Sequence, residues 1–104
     1  MDACWIYMTA ASPEEAHKVG RALVEERLAA CMNVIPGMSS CYWWQGKIEE
    51  ARETVLIAKT RRELVERLTA RVKALHSYSV PCVVALPILG GNPDYLRWIE
   101  EETR

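Results

Sequence analysis

The sequence predicts an α+β domain, an antiparallel sheet with two helices packed on one face. Three observations predict it. Two helical apolar stripes stand between runs of strand-forming residues. The two middle strands meet at Gln45-Gly46, a turn signal short enough for a tight hairpin. And 104 residues suit one domain, predicted over residues 1–104, with a single core that removes roughly 60–70% of the unfolded surface from water.

Ala3 to Thr9 (ACWIYMT) is apolar almost throughout and rich in β formers, so it reads as a buried strand. Ser12-Pro13-Glu14-Glu15 then supplies an N-cap, a proline at the first helical position and the far side of a capping box. Ala16, Val19, Leu23, Val24 and Leu28 form one stripe at helical spacing, and the helix is predicted to end near Ala30. Met32 to Trp44 reads as a long strand interrupted at Pro36-Gly37, a bend or bulge. After Gln45-Gly46 the chain returns from Lys47 to Lys59, charged in its first half and apolar in its second. Thr60-Arg61-Arg62-Glu63 reads as a second capping box, opening a helix with Leu64, Leu68, Val72 and Leu75 on one side. Cys82 to Ile88 (CVVALPI) reads as another buried strand, with Pro87 near an edge or bulge. Gly90-Gly91 turns the chain, and Asn92-Pro93 caps a last helix bearing Leu96, Trp98 and Ile99. The order strand-helix-strand, strand-helix-strand plus one helix is the split βαβ arrangement of ferredoxin-like domains.

Composition excludes several classes. The net charge of −1 argues against a general nucleic-acid or anionic-membrane surface. The start, Met1-Asp2-Ala3-Cys4, lacks a basic segment, and Thr9 and Ser12 break the apolar run, so no signal peptide is expected. No stretch approaches the ~20 apolar residues of a spanning helix. The four cysteines, at positions 4, 31, 41 and 82, form no C-x-x-C pair. Reduced thiols in the cytoplasm are therefore expected rather than a disulfide scaffold or a structural zinc site.

The hairpin raises a problem of size. At roughly 3.3 Å per residue, a strand of about 13 residues spans ~40 Å. A compact domain of this length has a radius of gyration of ~13 Å and a diameter in the mid-thirties of ångströms. The hairpin is thus expected to overhang its own domain. Tyr42, Trp43 and Trp44 alternate between its two faces, so they cannot share one core. Self-association through these three residues is the expectation; a hairpin folded back at Pro36-Gly37 is the alternative.

The run Leu23-Val24-Glu25-Glu26-Arg27-Leu28-Ala29-Ala30-Cys31-Met32-Asn33, then Pro36 and Tyr42-Trp43-Trp44-Gln45-Gly46-Lys47, resembles the CutA divalent-ion tolerance family. So do Lys59-Thr60, His76-x-Tyr78-x-x-Pro81, Ala85-Leu86-Pro87-Ile88 and Gly91-Asn92-x-x-Tyr95-Leu96-x-Trp98-Ile99. The match covers nearly the whole chain in order. The resemblance implies a ferredoxin-like subunit in a homotrimer related to PII signalling proteins, and a link to tolerance of copper and other divalent metals. The chain departs from the family's His-Pro-Tyr-x-x-Pro-Glu segment, which here reads His76-Ser77-Tyr78-Ser79-Val80-Pro81-Cys82. A thiol stands where that pattern has a carboxylate.

Site candidates follow from donor chemistry. His76, Cys82 and Met8 offer imidazole, thiolate and thioether to copper or another soft ion. Their plainer roles are a histidine at a helix C-terminus and core packing. Trp44, Lys59 and Tyr78 placed along a cleft would give a small-ligand site, with Lys59 as an anion contact or simply a solvated lysine. Cys31 and Cys41 read as packing, and Glu49-Glu50 and Glu100-Glu101-Glu102 as solvated faces. No obligatory cofactor and no catalytic set is expected. The leading expectation is a trimeric metal-tolerance protein acting by weak metal or small-ligand binding, with a PII-like regulatory module as the alternative. An acylphosphatase-like enzyme ranks below both, because the loop Ala10-Ala11-Ser12-Pro13 lacks the Gly-rich anion cradle and Arg. An RNA-stacking sheet using Trp5 and Tyr7 conflicts with the charge.

Overall fold

The first strand, β1 (Ala3–Ala10), sorts its side chains by parity. Cys4, Ile6, Met8 and Ala10 join the main core; Ala3, Trp5, Tyr7 and Thr9 point the other way. The computed structural model describes residues 2–104, and Met1, the first residue of the predicted 1–104 domain, lies outside them. The chain continues through α1 (Pro13–Glu25), β2 (Cys31–Trp44), β3 (Lys47–Arg61), one 3-10 turn (Arg62–Leu64), α2 (Val65–Leu75), β4 (Val83–Pro87) and α3 (Pro93–Glu102). The strands form one antiparallel sheet in the order β2-β3-β1-β4. Ala16, Val19 and Leu23 of α1 and Leu68 and Val72 of α2 pack on the even-numbered face of β1. Each fully buried aliphatic side chain there contributes about 1.5–3 kcal/mol. On the opposite face α3 covers one end only, where Ile99 meets Ala3 and Ala30.

The capping box of α1 forms much as predicted. Ser12 Oγ accepts from the Glu15 amide at 3.1 Å, and Glu15 Oε1 accepts from Ala11 N–H at 3.0 Å. The helix end differs from the expectation near Ala30. It stops at Glu25, five residues sooner. Leu28 N–H bonds Leu23 O at 2.9 Å and Arg27 N–H bonds Val24 O at 3.1 Å, a Schellman closure with Arg27 at φ 63°. Leu28 and Ala29 are buried beyond the helix, which is why they extend its apolar stripe in the sequence.

The second predicted capping box does not form. Thr60 lies in β3 opposite Cys4, and its hydroxyl donates to Leu28 O at 2.7 Å in a fully buried bond. The 3-10 turn and α2 begin without a side-chain cap. Pro93 starts α3 as predicted, with Asn92 Oδ1 accepting from Asp94 N–H at 3.0 Å.

In the hairpin, Gln45 (φ 51°) and Gly46 (φ 80°) both occupy the left-handed region, the type I′ geometry that matches strand twist. The pairing steps from Ile35 opposite Val55 to Met38 opposite Glu53. Pro36 and Gly37 on β2 therefore stand against Thr54 alone on β3, a bulge with Gly37 at φ 83°. The bulge exchanges parity. Before it, Cys31, Asn33 and Ile35 share the face of Trp5 and Tyr7; after it, Met38, Ser40, Tyr42 and Trp44 do.

The predicted overhang is present: the molecule measures 44 × 25 × 22 Å around a radius of gyration of 14.0 Å. Trp43 and Ile48 pair across the strands on the face away from Trp44, 72% and 60% exposed. β4 is shorter than the predicted Cys82–Ile88 and is not buried. It is an edge strand with Val84 and Leu86 about half exposed, and Pro87 ends it without disturbing a ladder.

Candidate ligand-binding site

The parity exchange brings the hairpin's aromatic residues over the half-covered sheet face. There a pocket of about 730 Å³ opens between the root of the hairpin and the segment that follows α2. That volume is typical of small-molecule sites. Tyr7, Tyr42, Trp44 and Tyr78 supply its aromatic walls. Serines, thiols and aliphatic groups complete the lining, and Glu53 is the only charged residue in it.

Glu53 is 7% exposed. Its Oε2 accepts from the Tyr78 hydroxyl at 2.9 Å, and no basic side chain pairs with it among the described residues. Burial, then the hydrogen bond to Glu53 and its charge, push the Tyr78 phenol far above its ordinary value. Burial and, secondarily, Glu53 also push the Cys82 thiol up. Both groups therefore stay protonated at neutral pH. The pocket can donate hydrogen bonds and attract a cation, and it offers an anion no positive charge.

Sequence reasoning did not single out Glu53. A usable signal was present: it shares the parity of Val55 and Ile57, at the point where the strand turns from charged to apolar. Of the expected cleft residues, Trp44 and Tyr78 come together in the pocket, and Lys59 does not. Lys59 lies near the other end of the strand, with Nζ 3.4 Å from Asn33 Oδ1, 3.8 Å from Cys31 Sγ and 5.7 Å from the Tyr95 ring centre. At ~3.3 Å per residue it is roughly 20 Å from Glu53 along β3.

The three expected metal donors do not form an open ligand set. Met8 is 1% exposed inside the core between sheet and helices. His76 uses both ring nitrogens: Nδ1 accepts from Tyr78 N–H at 3.0 Å, and Nε2 donates to Thr9 O at 2.8 Å. This pattern orients the ring and positions Tyr78. Only Cys82 reaches the pocket. Among the described residues, no three His, Cys, Asp or Glu side chains stand together to hold a metal. These donors do not fit a closed metal cage, which takes about four ligands.

A larger depression, about 1080 Å³, lies at the far end between the start of β1 and the end of β4. Its charged residues are of both signs, and Arg62 already faces Asp2 at 3.8 Å. It presents no single ligand chemistry. The loop where an acylphosphatase-like enzyme would cradle an anion is also engaged: Glu15 takes the amides of Ala11 and Ser77 at 3.0 and 2.8 Å.

Known proteins agree with this architecture. Residues 4–102 match the family model described as CutA1 divalent ion tolerance protein. The divalent-cation tolerance protein CutA of Thermus thermophilus is 50% identical over 98 residues, covering 94% of this chain and 95% of that protein. Protein CutA 1, chloroplastic, of Oryza sativa subsp. japonica is 46% identical over 99 residues, 95% of this chain. The chain spans 56% of that rice relative's length. The solved divalent cation tolerance protein (Cut A1) of Thermus thermophilus superposes with a TM-score of 0.96 at 48% identity, covering 98% of this chain and 99% of that one. With the same elements, the same order and nearly half its residues shared from end to end, the chain belongs to the CutA divalent-ion tolerance family.

Proposed function

We propose that this chain works as a homotrimer in divalent-ion tolerance, binding a metal ion such as copper, or a small ligand, weakly and reversibly rather than turning over a substrate. The observation that carries the proposal is the shared use of the hairpin. One face of its tip, at Trp43 and Ile48, lies uncovered, while the other, at Tyr42 and Trp44, walls the pocket. Exposed apolar surface of this kind marks an interface. A second copy laid on the tip joins assembly to the site, an arrangement that also suits a PII-like regulatory module.

The chemistry supports weak metal binding. Glu53 is the pocket's hard donor and Cys41 and Cys82 its thiols, and the Cys82 thiol must lose a proton first. Protonated Cys82 and engaged His76 also support a non-enzymatic role, since neither is poised as nucleophile or base. Four free cysteines fit a reducing compartment, and we place the protein in the cytoplasm. No helix among the described residues is long and apolar enough to cross a membrane.

Light scattering at micromolar concentration tests the assembly. A mass three times that of the chain is expected, shifting towards one chain mass in Trp43→Ser; a monomer mass for the native chain would sink it. Calorimetric titration with copper tests the site. Weak binding that falls in Cys82→Ser and persists in His76→Ala is expected. Identical isotherms for wild type and Cys82→Ser would place any metal response elsewhere.

A further inference from the structure

We propose that the pocket at the root of the hairpin is a site for a small organic cation, an alkylammonium or quaternary ammonium group. This deepens the reading above and rests on the pocket being a ligand site. Three features select the class. First, Glu53 gives the cavity one negative charge, buried and without a basic partner among the described residues. An unpaired buried carboxylate is costly, and a ligand cation removes that cost. Secondly, the walls are aromatic. The faces of Tyr and Trp attract ammonium groups through their quadrupoles, most strongly where water is excluded. Tyr7, Tyr42, Trp44 and Tyr78 line the same pocket as the carboxylate and supply such walls, Tyr78 in direct contact with it. Thirdly, the site is roomy and poor in metal ligands. About 730 Å³ lined by one carboxylate and few thiols suits an ion with an apolar body rather than a bare metal ion, which needs a shell of close oxygen, nitrogen or sulfur donors.

The neighbours of Glu53 keep the charge single. Tyr78 donates its hydroxyl proton to Oε2 at 2.9 Å, and its amide is itself tied to His76 Nδ1 at 3.0 Å. The carboxylate is thus held from one side, with its remaining acceptor capacity available to a ligand N–H or N–CH₃ group. Across the sheet Tyr7 donates to Met38 Sδ at 3.4 Å, which fixes another of the four rings. The recognition element is preorganised, so little ordering cost falls on binding.

The test uses an isosteric pair on the native assembly: choline chloride, and 3,3-dimethyl-1-butanol, in which a carbon replaces the charged nitrogen. Binding is read by calorimetry and by the tryptophan fluorescence change. Choline is expected to bind about tenfold more tightly than the alcohol. Glu53→Gln keeps the shape and the Tyr78 bond but removes the charge, and should reduce that preference to what the rings alone supply; Trp44→Leu should weaken choline several-fold. 3,3-Dimethylbutyrate, the anionic counterpart, should not bind. The isosteric comparison needs no variant, so misfolding of a mutant leaves the test standing. Equal affinity for choline and the alcohol would overturn the cation class while leaving the pocket a ligand site. No binding of any of the three probes would overturn this inference, and the copper titration then decides the broader reading separately.

Discussion

The two halves of β3 share the ladder to β2, yet only the inner half also pairs with β1, and the two live in different surroundings. From Thr54 to Thr60 every second residue is at most 2% exposed, because the helices lie on that face. From Lys47 to Glu50 every residue is exposed. Pairing with β2 is continuous through both, apart from the bulge. The ladder therefore settles the shape of the ribbon, and the burial beneath it settles the stability. A two-stranded ribbon alone is marginal in water. The tip stands by continuity with its buried root and, in the proposed trimer, by contact with another copy.

The largest expected effect breaks the root. Leu56→Ala removes a fully buried side chain and should cost about 2–5 kcal/mol, seen as a lower denaturation midpoint at any protein concentration. Ile48→Ala, on the exposed tip, should cost less than about 0.5 kcal/mol in the fold itself. Its effect should instead appear as a stronger dependence of the midpoint on concentration. Equal, concentration-independent losses for the two would erase the distinction between the halves.

Next comes the clasp beside the root. Glu15 accepts from Ala11 and Ser77 and lies near His76. Burial alone would raise its pKa, but the bonds from Ser77 and Ala11, aided by His76, outweigh it and hold the carboxyl below its ordinary 4.5. Glu15→Ala should cost about 1–3 kcal/mol at pH 7. Because the folded value is the lower one, the ionised-state contribution is complete above about pH 4.5 and is lost as pH falls through the folded value. The gap between wild type and variant in urea melts should therefore narrow towards pH 3; a constant gap would assign the loss to packing.

Two smaller changes probe the ribbon. Gly37→Ala meets open space but places a side chain at φ 83°, and should cost about 1 kcal/mol by calorimetry. Gln45→Asn puts the preferred residue at a positive-φ turn position and should raise stability by a few tenths of a kcal/mol. A loss on Gln45→Asn would mean that the glutamine side chain holds the turn in place.

The elements that were legible are those whose signals are local. Ser12-Pro13 and Asn92-Pro93 start helices, Gln45-Gly46 turns the hairpin, and Pro36-Gly37 interrupts a strand. The end of α1 was hidden because Arg27, not glycine, takes the left-handed position, and because Leu28 and Ala29 stay buried after the turn. Thr60-x-x-Glu63 matches a cap, yet its threonine serves a buried bond to a segment 32 residues away. The CVVALPI run signals burial on two sides, but a single chain covers only part of β4. Donor types proposed a metal set from His76, Cys82 and Met8, whereas geometry engages His76 and buries Met8. What spacing could not show was which faces converge, so Glu53 went unnoticed beside Trp44 and Tyr78, which line the same pocket.

The bulge at Pro36-Gly37 makes the outer half of β2 run out of phase with the inner half, like a text shifted by one letter. Exchanging a residue there leaves the phase intact. Deleting one would straighten the strand with Ile35 still opposite Val55 and Met38 still opposite Glu53, so Tyr42 and Trp44 would keep the pocket face; losing the bulge with both residues kept would instead turn the outer half over and bring Trp43 to the pocket. A pairing that kept both residues and lost the bulge, far more than a substitution, is the change through which the pocket and the outer surface of the hairpin would trade their residues.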